Sequence, residues 1–179
     1  MAVVTLSEVD SPDPRRDADG AVVLDLWCDL ACPDCADGLE LLDELRERFG
    51  DDLVVRLRHF PLTNHVWAVA AAVSQLAAAE QGRGEDYAAH ALGAIDEIDG
   101  PADYVDLAEH LGLDADAVAE ALFDGRLGGA VRDDYEQGRA IGVTSTPTFV
   151  VDGLLVDAST TLDGAQDALV ARITAALER

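Results

Sequence analysis

Three cysteines, Cys28, Cys32 and Cys35, fall within eight positions, and the 179-residue chain has no others. The last two form a Cys-x-x-Cys, a spacing shared by metal sites and redox couples. A zinc site wants further ligands, typically a second cysteine pair or two histidines at helical spacing. Here the other candidates are Cys28 and four histidines, His59, His65, His90 and His110, scattered singly. No metal is therefore expected. The other readings are structural thiols and a redox couple, in which a Cys32–Cys35 disulfide would itself be the redox group with no organic cofactor.

Such chemistry needs the sulfurs held at a helix mouth. The run AVVLDLW, residues 21–27, is β-rich and ends just before the cysteines, as a buried strand would. Cys35, Leu39, Leu42, Leu45 and Phe49 then recur at helical spacing, and Gly50 stops the pattern. Pro33 suits the first helical turn, where its missing N–H would be unpaired anyway. This puts Cys32 at or beside the N-cap, close to free backbone N–H groups and the positive dipole end. Both favour the thiolate. Cys35 lies one turn in.

DLVVRLRHF, residues 52–60, reads as a second strand ended by Pro61, which completes a βαβ unit. From Asn64 to about Ile141 the pattern is helical, with four to five helices. Asn64 is placed to cap the first, Pro101 to open another, and Asp114 to cap a third. β character returns in TPTFVVDGLLVD, where Asp152-Gly153 predicts a tight hairpin turn. Asp163 opens a last helix with Ala165, Leu169, Ile173 and Leu177 on one face. The organisation is one α/β domain, residues 1–62 and 142–179, with an all-helical insertion at 63–141.

The formal charge is −24, and all twelve bases other than histidine are arginine. Such a surface repels nucleic acid and anionic membrane, so neither is expected as a partner. It reads as a solvated acidic coat, suited to a salt-rich cytoplasm, or as a codon bias. The first twenty residues lack the basic start and apolar core of a signal peptide. VWAVAAAVSQLAAA is too short and too interrupted to span a bilayer. The expectation is a soluble cytoplasmic protein.

A Cys-x-x-Cys after the first strand, a helical block, then TPTF before a hairpin and a terminal helix resembles the DsbA-like branch of the thioredoxin superfamily. RHFPLTNH and GVTSTPTFVVDG are similar to its bacterial members without signal peptides, and to the related domain fused to some sodium/proton antiporters. The resemblance covers roughly residues 20–178. It implies a thioredoxin fold, a mixed sheet flanked by helices, with the helical insertion as a cap. It also implies a thiol-disulfide oxidoreductase acting on protein or small-thiol substrates, with an unknown electron donor or acceptor. Cys32 matches the exposed nucleophile and Cys35 the buried resolving cysteine. Pro147 matches the cis-proline that packs against the disulfide. Thr146 matches the residue whose backbone pairs with a bound peptide.

Two departures from the family pattern stand out. Many relatives carry a buried Glu six residues before the nucleophile, where this chain has Leu26. Asp25 is next to it and is a candidate proton relay, although strand alternation turns it to the other face unless a bulge intervenes. Cys28 stands where relatives often have a small residue. It reads as a buried free thiol or as a regulatory partner of Cys32. Between the two redox cysteines lie Pro33 and Asp34. The Asp34 charge opposes the Cys32 thiolate, and the acidic coat adds to it. This predicts a couple nearer the reducing end, about −270 mV, than the oxidising end at about −120 mV. His59 and His65 read as capping or surface histidines, or as groups tuning the thiolate. Trp67 reads as core, and Arg56 and Arg58 as partners of Asp25 or of surface acids. Other readings of the same scaffold are an isomerase or transferase using a small thiol such as glutathione, and a non-catalytic peptide-binding module. Relatives of the former kind typically lack the second cysteine.

Overall fold

A computed structural model describes residues 16–17, 19–156 and 162–179, with side chains of the last segment described from Gly164. The lead-in expected over residues 1–20 falls mostly outside these, as does any capping by the Asp163 side chain.

Strand β1 (Val22–Cys28) is buried along nearly its whole length because it is central in the sheet. The order is β2-β1-β3-β4. β2 (Leu53–His59) runs parallel to β1, while β3 (Thr148–Val151) and β4 (Leu154–Val156) form an antiparallel hairpin beside it. β1–β2 pairing is unbroken from Val22↔Leu53 to Cys28↔His59, so side chains alternate strictly. Leu24, Leu26 and Cys28 share one face with Val55, Leu57, Phe149 and Val151, and all belong to the main core. Trp27 and Val150 point to the other face, where they pack with Phe60 and Val143. At the hairpin, Asp152 (φ 55°) and Gly153 (φ 72°) both take positive φ, as the Asp-Gly pair predicts.

Helix α1 (Asp34–Phe49) connects the parallel strands and buries Cys35, Gly38, Leu41, Leu42 and Leu45. The last helix, α7 (Leu162–Leu177), packs beside it on the sheet. Its buried face is Ala165, Leu169, Ile173 and Ala176, whereas Leu177 is 37% exposed. The correction from Leu177 to Ala176 follows from the 3.6-residue period, which a strict four-residue step overshoots by the third turn.

Between β2 and β3 lie α2 (Ala68–Glu80), α3 (Gly84–Gly93), α4 (Pro101–His110), α5 (Ala115–Asp124) and α6 (Gly128–Ile141). Pro101 opens α4, and Asp114 caps α5 by accepting the Ala117 N–H at 3.1 Å. Asn64 does not cap α2; that helix begins four residues later, with Trp67 at its N-cap. Residues 62–68 instead make turns, with His65 N–H donating to Leu62 O and Ala68 N–H to His65 O. α6 lies against the sheet, where Tyr135 stacks on Phe60 at 4.7 Å. Trp67 is partly buried against the main core, as expected.

Candidate active site

β1 ends at Cys28, and the chain turns over Asp29–Pro33 into α1. The turn is tied by its own backbone: Cys32 N–H donates to Asp29 O at 2.9 Å and Cys35 N–H to Cys32 O at 3.0 Å. Pro33 occupies the N-cap and Asp34 the first helical position, both exposed. All three cysteines are free thiols; Cys28 and Cys35 are fully buried and Cys32 is 6% exposed.

The second half of the site comes from the far end of the chain. The Thr146–Pro147 peptide bond is cis. The Thr146 carbonyl accepts from Cys32 Sγ at 3.7 Å, across 114 residues of sequence. Pro147 packs on α1 one turn beyond Cys35. A Cβ at Gly38 would lie 3.2 Å from Pro147 Cβ and 3.7 Å from Leu26 Cδ1, so only the absence of a side chain there lets the proline in so close. The Thr148 hydroxyl steadies this segment by donating to Ser145 O at 2.7 Å.

The three cysteines lie in one buried cluster, where Cys35 interacts with Cys32 on one side and with Cys28 on the other. The bond with Cys35 and then burial push the Cys32 thiol up, while the Thr146 contact and the Asp34 N–H pull the other way. For Cys35 the Cys28 contact and burial raise the thiol, against a lowering contact with Cys32. The helix mouth alone predicts a stabilised Cys32 thiolate. That expectation is corrected here: the neighbouring Cys35 thiol and a nearly dry setting outweigh the N–H groups.

Asp25 is also corrected. β1 has no bulge, so Asp25 points away from the face that carries Cys28 and Leu26. Its carboxylate takes two 2.7 Å hydrogen bonds from Arg56. Arg58 likewise pairs with Asp134 at 3.0 Å and lies over the Trp27 ring. His59 is a buried residue, not a surface one. Its Nε2–H donates to Gln75 Oε1 at 3.0 Å, and Nδ1 has no partner among the described residues. Burial lowers its pKa to about 4, so the ring is neutral at pH 7. It is the register neighbour of Cys28, and so lies behind the sulfur chain at the end away from Cys32.

The residue that sequence reasoning missed is Asp29. Its side chain is fully buried beside the cysteine turn. Oδ1 accepts the Ala31 N–H at 2.9 Å, and Oδ2 accepts the Leu62 N–H at 2.8 Å and His65 Nδ1–H at 2.7 Å. One carboxylate thus clamps the cysteine turn to the loop after β2. His65 serves this clamp. The available signal was an acidic residue set directly after the apolar end of β1, between Cys28 and Leu30, where a buried carboxylate needs hydrogen-bond partners. Among the described residues no group of His, Cys, Asp and Glu side chains is arranged to hold a metal ion. No helix among them is long and apolar enough to cross a membrane.

A mixed four-stranded sheet with a Cys-x-x-Cys at a strand-to-helix turn, met by an X-Pro from a distant hairpin, defines a thioredoxin-like protein of the DsbA architecture. The family model described as DSBA-like thioredoxin domain matches residues 23–170, and the chain belongs to that family. The family is one of thiol-disulfide oxidoreductases, enzymes that work through their own disulfide without a separate cofactor. Among curated proteins, the chain is similar to Na(+)/H(+) antiporter NhaA 1 of Mycobacterium sp. (strain KMS), 32% identical over 158 residues, covering 84% of this chain and 26% of that protein. It is also similar to Na(+)/H(+) antiporter NhaA 3 of Salinispora tropica, 36% identical over 149 residues, covering 79% of this chain and 22% of that protein. The chain therefore spans about a quarter of the length of the curated relatives it matches. Among solved structures, BdbD from Bacillus subtilis superposes with a TM-score of 0.75 at 15% identity, covering 88% of each chain. The thiol-disulfide exchange protein alpha-DsbA2 from Wolbachia pipientis gives 0.73 at 18% identity, covering 89% of this chain and 84% of that one.

Proposed function

We propose that the chain exchanges its Cys32–Cys35 pair with disulfides or dithiols of protein or small-thiol substrates. The observation that carries this reading is the position of Cys32 Sγ, in reach of both Cys35 and the Thr146 carbonyl. Cys32 is the nucleophile: its thiolate attacks a substrate sulfur, and the other substrate sulfur leaves as a thiol. Cys35 then attacks Cys32 of the mixed disulfide and frees the substrate, leaving Cys32–Cys35 oxidised. Thr146 offers backbone groups to an extended substrate segment beside Cys32, in the manner of an added strand. Pro147 holds that segment against α1. The sheet domain carries the sulfurs, and the helical insertion, residues 63–141, forms the cap.

The couple lies toward the reducing end, nearer about −270 mV than about −120 mV. Support comes from Cys32, whose thiol is raised rather than lowered, and from Asp34 in the intervening dipeptide. A couple at that end matches the poise of a cytoplasm, where we place the activity. The test is insulin reduction driven by dithiothreitol. Wild type accelerates it and Cys32→Ser does not; equal rates would end this reading. Cys35→Ser should accumulate mixed disulfides at Cys32, since nothing resolves them.

A further inference from the structure

The exchange proposed above uses two sulfurs and leaves Cys28 without a task. We propose that Cys28 is a third redox-active sulfur, and that the oxidised protein interconverts between a Cys32–Cys35 disulfide and a buried Cys28–Cys35 disulfide. The inference rests on the exchange reading above and extends it. Its basis is the order of the sulfurs in space. All three lie in one buried cluster, and Cys35 is the middle member, interacting with each of the others, while Cys32 alone reaches the surface side and Thr146. Cys28 ends β1, and Cys35 sits on the first turn of α1 packed above it. Both sulfurs are fully buried, so the bond they form is closed to substrates.

The step is an isomerisation and needs no outside oxidant. Cys28 loses its proton and attacks Cys35 Sγ. The Cys28–Cys35 bond forms as the Cys32–Cys35 bond breaks, and the electron pair leaves on Cys32 Sγ, which takes up a proton. Cys32, again a thiol, returns to its hydrogen bond with Thr146 O. The product keeps the oxidising equivalent while presenting substrate with a lone thiol. A mixed disulfide formed at Cys32 in this state persists, because Cys35 is occupied. Attack by Cys32 on Cys35 reverses the step.

The test uses the whole wild-type chain, oxidised with oxidised dithiothreitol, freed of reagent, quenched in acid after set times and alkylated under denaturing conditions. Cleavage before Asp29 and before Asp34 places each cysteine on its own peptide. The expected map has two species: one with Cys28 alkylated, and one with Cys32 alkylated and the Cys28 and Cys35 peptides linked. Their ratio should settle with time. Cys28→Ala should lower the oxidation equilibrium constant against glutathione by the factor of one plus that ratio. If Cys28 alone is alkylated at every time, and Cys28→Ala leaves the equilibrium constant unchanged, the third-sulfur proposal is wrong while the exchange reading stands. If all three are alkylated after oxidation, the exchange reading itself fails.

Discussion

The sulfur of Cys32 rests 3.7 Å from the carbonyl oxygen of Thr146, although 114 residues separate them in the chain. The contact is made by two rigid pieces: the α1 mouth and the start of the β3–β4 hairpin. What brings them together is Pro147 seated over Gly38.

That seat predicts the effect of filling it. Gly38→Ala places a Cβ at 3.2 Å from Pro147, which a shift of a few tenths of an ångström relieves. Gly38→Val does not fit. It should cost about 1–3 kcal/mol of stability from overpacking. It should also slow insulin reduction by about tenfold to a hundredfold, because Thr146 moves off Cys32. Urea denaturation and turnover of both variants check this. A Gly38→Val enzyme with wild-type rate would mean that the proline contact does not position the substrate strand.

The raised Cys32 thiol predicts a reagent profile. The reduced protein should show no thiolate absorbance step between pH 4 and pH 7, unlike strongly oxidising relatives of this fold with nucleophile pKa values of about 3.5. Iodoacetamide should label Cys32 faster as pH rises through and beyond 8. A reduced state whose thiolate gains nothing from the protein gives up its electrons more readily, so the same property sets the direction of the couple. A thiolate step near pH 5 would overturn both statements.

Asp29 predicts a stability loss without any change in the sulfurs. Asp29→Ala leaves the Ala31 and Leu62 N–H groups and the His65 ring without their acceptor in a partly buried place. The cost should be about 2–4 kcal/mol. Asp29→Asn keeps one acceptor oxygen and should recover part of it. Chemical denaturation of the two variants gives the order; a loss below about 0.5 kcal/mol for Asp29→Ala would show that the clamp contributes nothing.

His59 predicts an acid limb. The folded ring stays neutral down to about pH 4, whereas the unfolded one protonates near 6.5. Its contribution is therefore flat above pH 6.5 and is lost as pH falls through the window from 6.5 to 4, by about 3 kcal/mol in all. His59→Gln should flatten that part of the curve relative to wild type. Parallel curves for the two proteins would show that the ring is protonated in the fold.

Much of this was legible along the chain. The β1–α1 turn, the parallel β1–β2 pair and the Asp152-Gly153 hairpin each follow from local chemistry: a short apolar run, a proline at a helix start, two residues that accept positive φ. The helical block was readable for the same reason, since Pro101 and Asp114 act on their own first turns. Asn64 failed as a cap because His65 is held by Asp29, a residue 36 positions earlier, and the loop turns to meet it. Asp25 could be followed only as far as its alternation, and its partner Arg56 depends on which strand lies beside β1.

The sequence by itself determined the Cys-x-x-Cys pair, the elements that carry it, and the proline motif that faces it, because spacing, capping and turn chemistry act over a few residues. Only the tertiary structure decided which groups share the dry space around the sulfurs. It put Cys28 against Cys35 rather than Cys32, buried Asp29 and His59, and turned Asp25 away. Those outcomes depend on which face of one element packs against another, and burial, which sets both the thiol acidities and the cost of an unpaired carboxylate, exists only once the layers have closed.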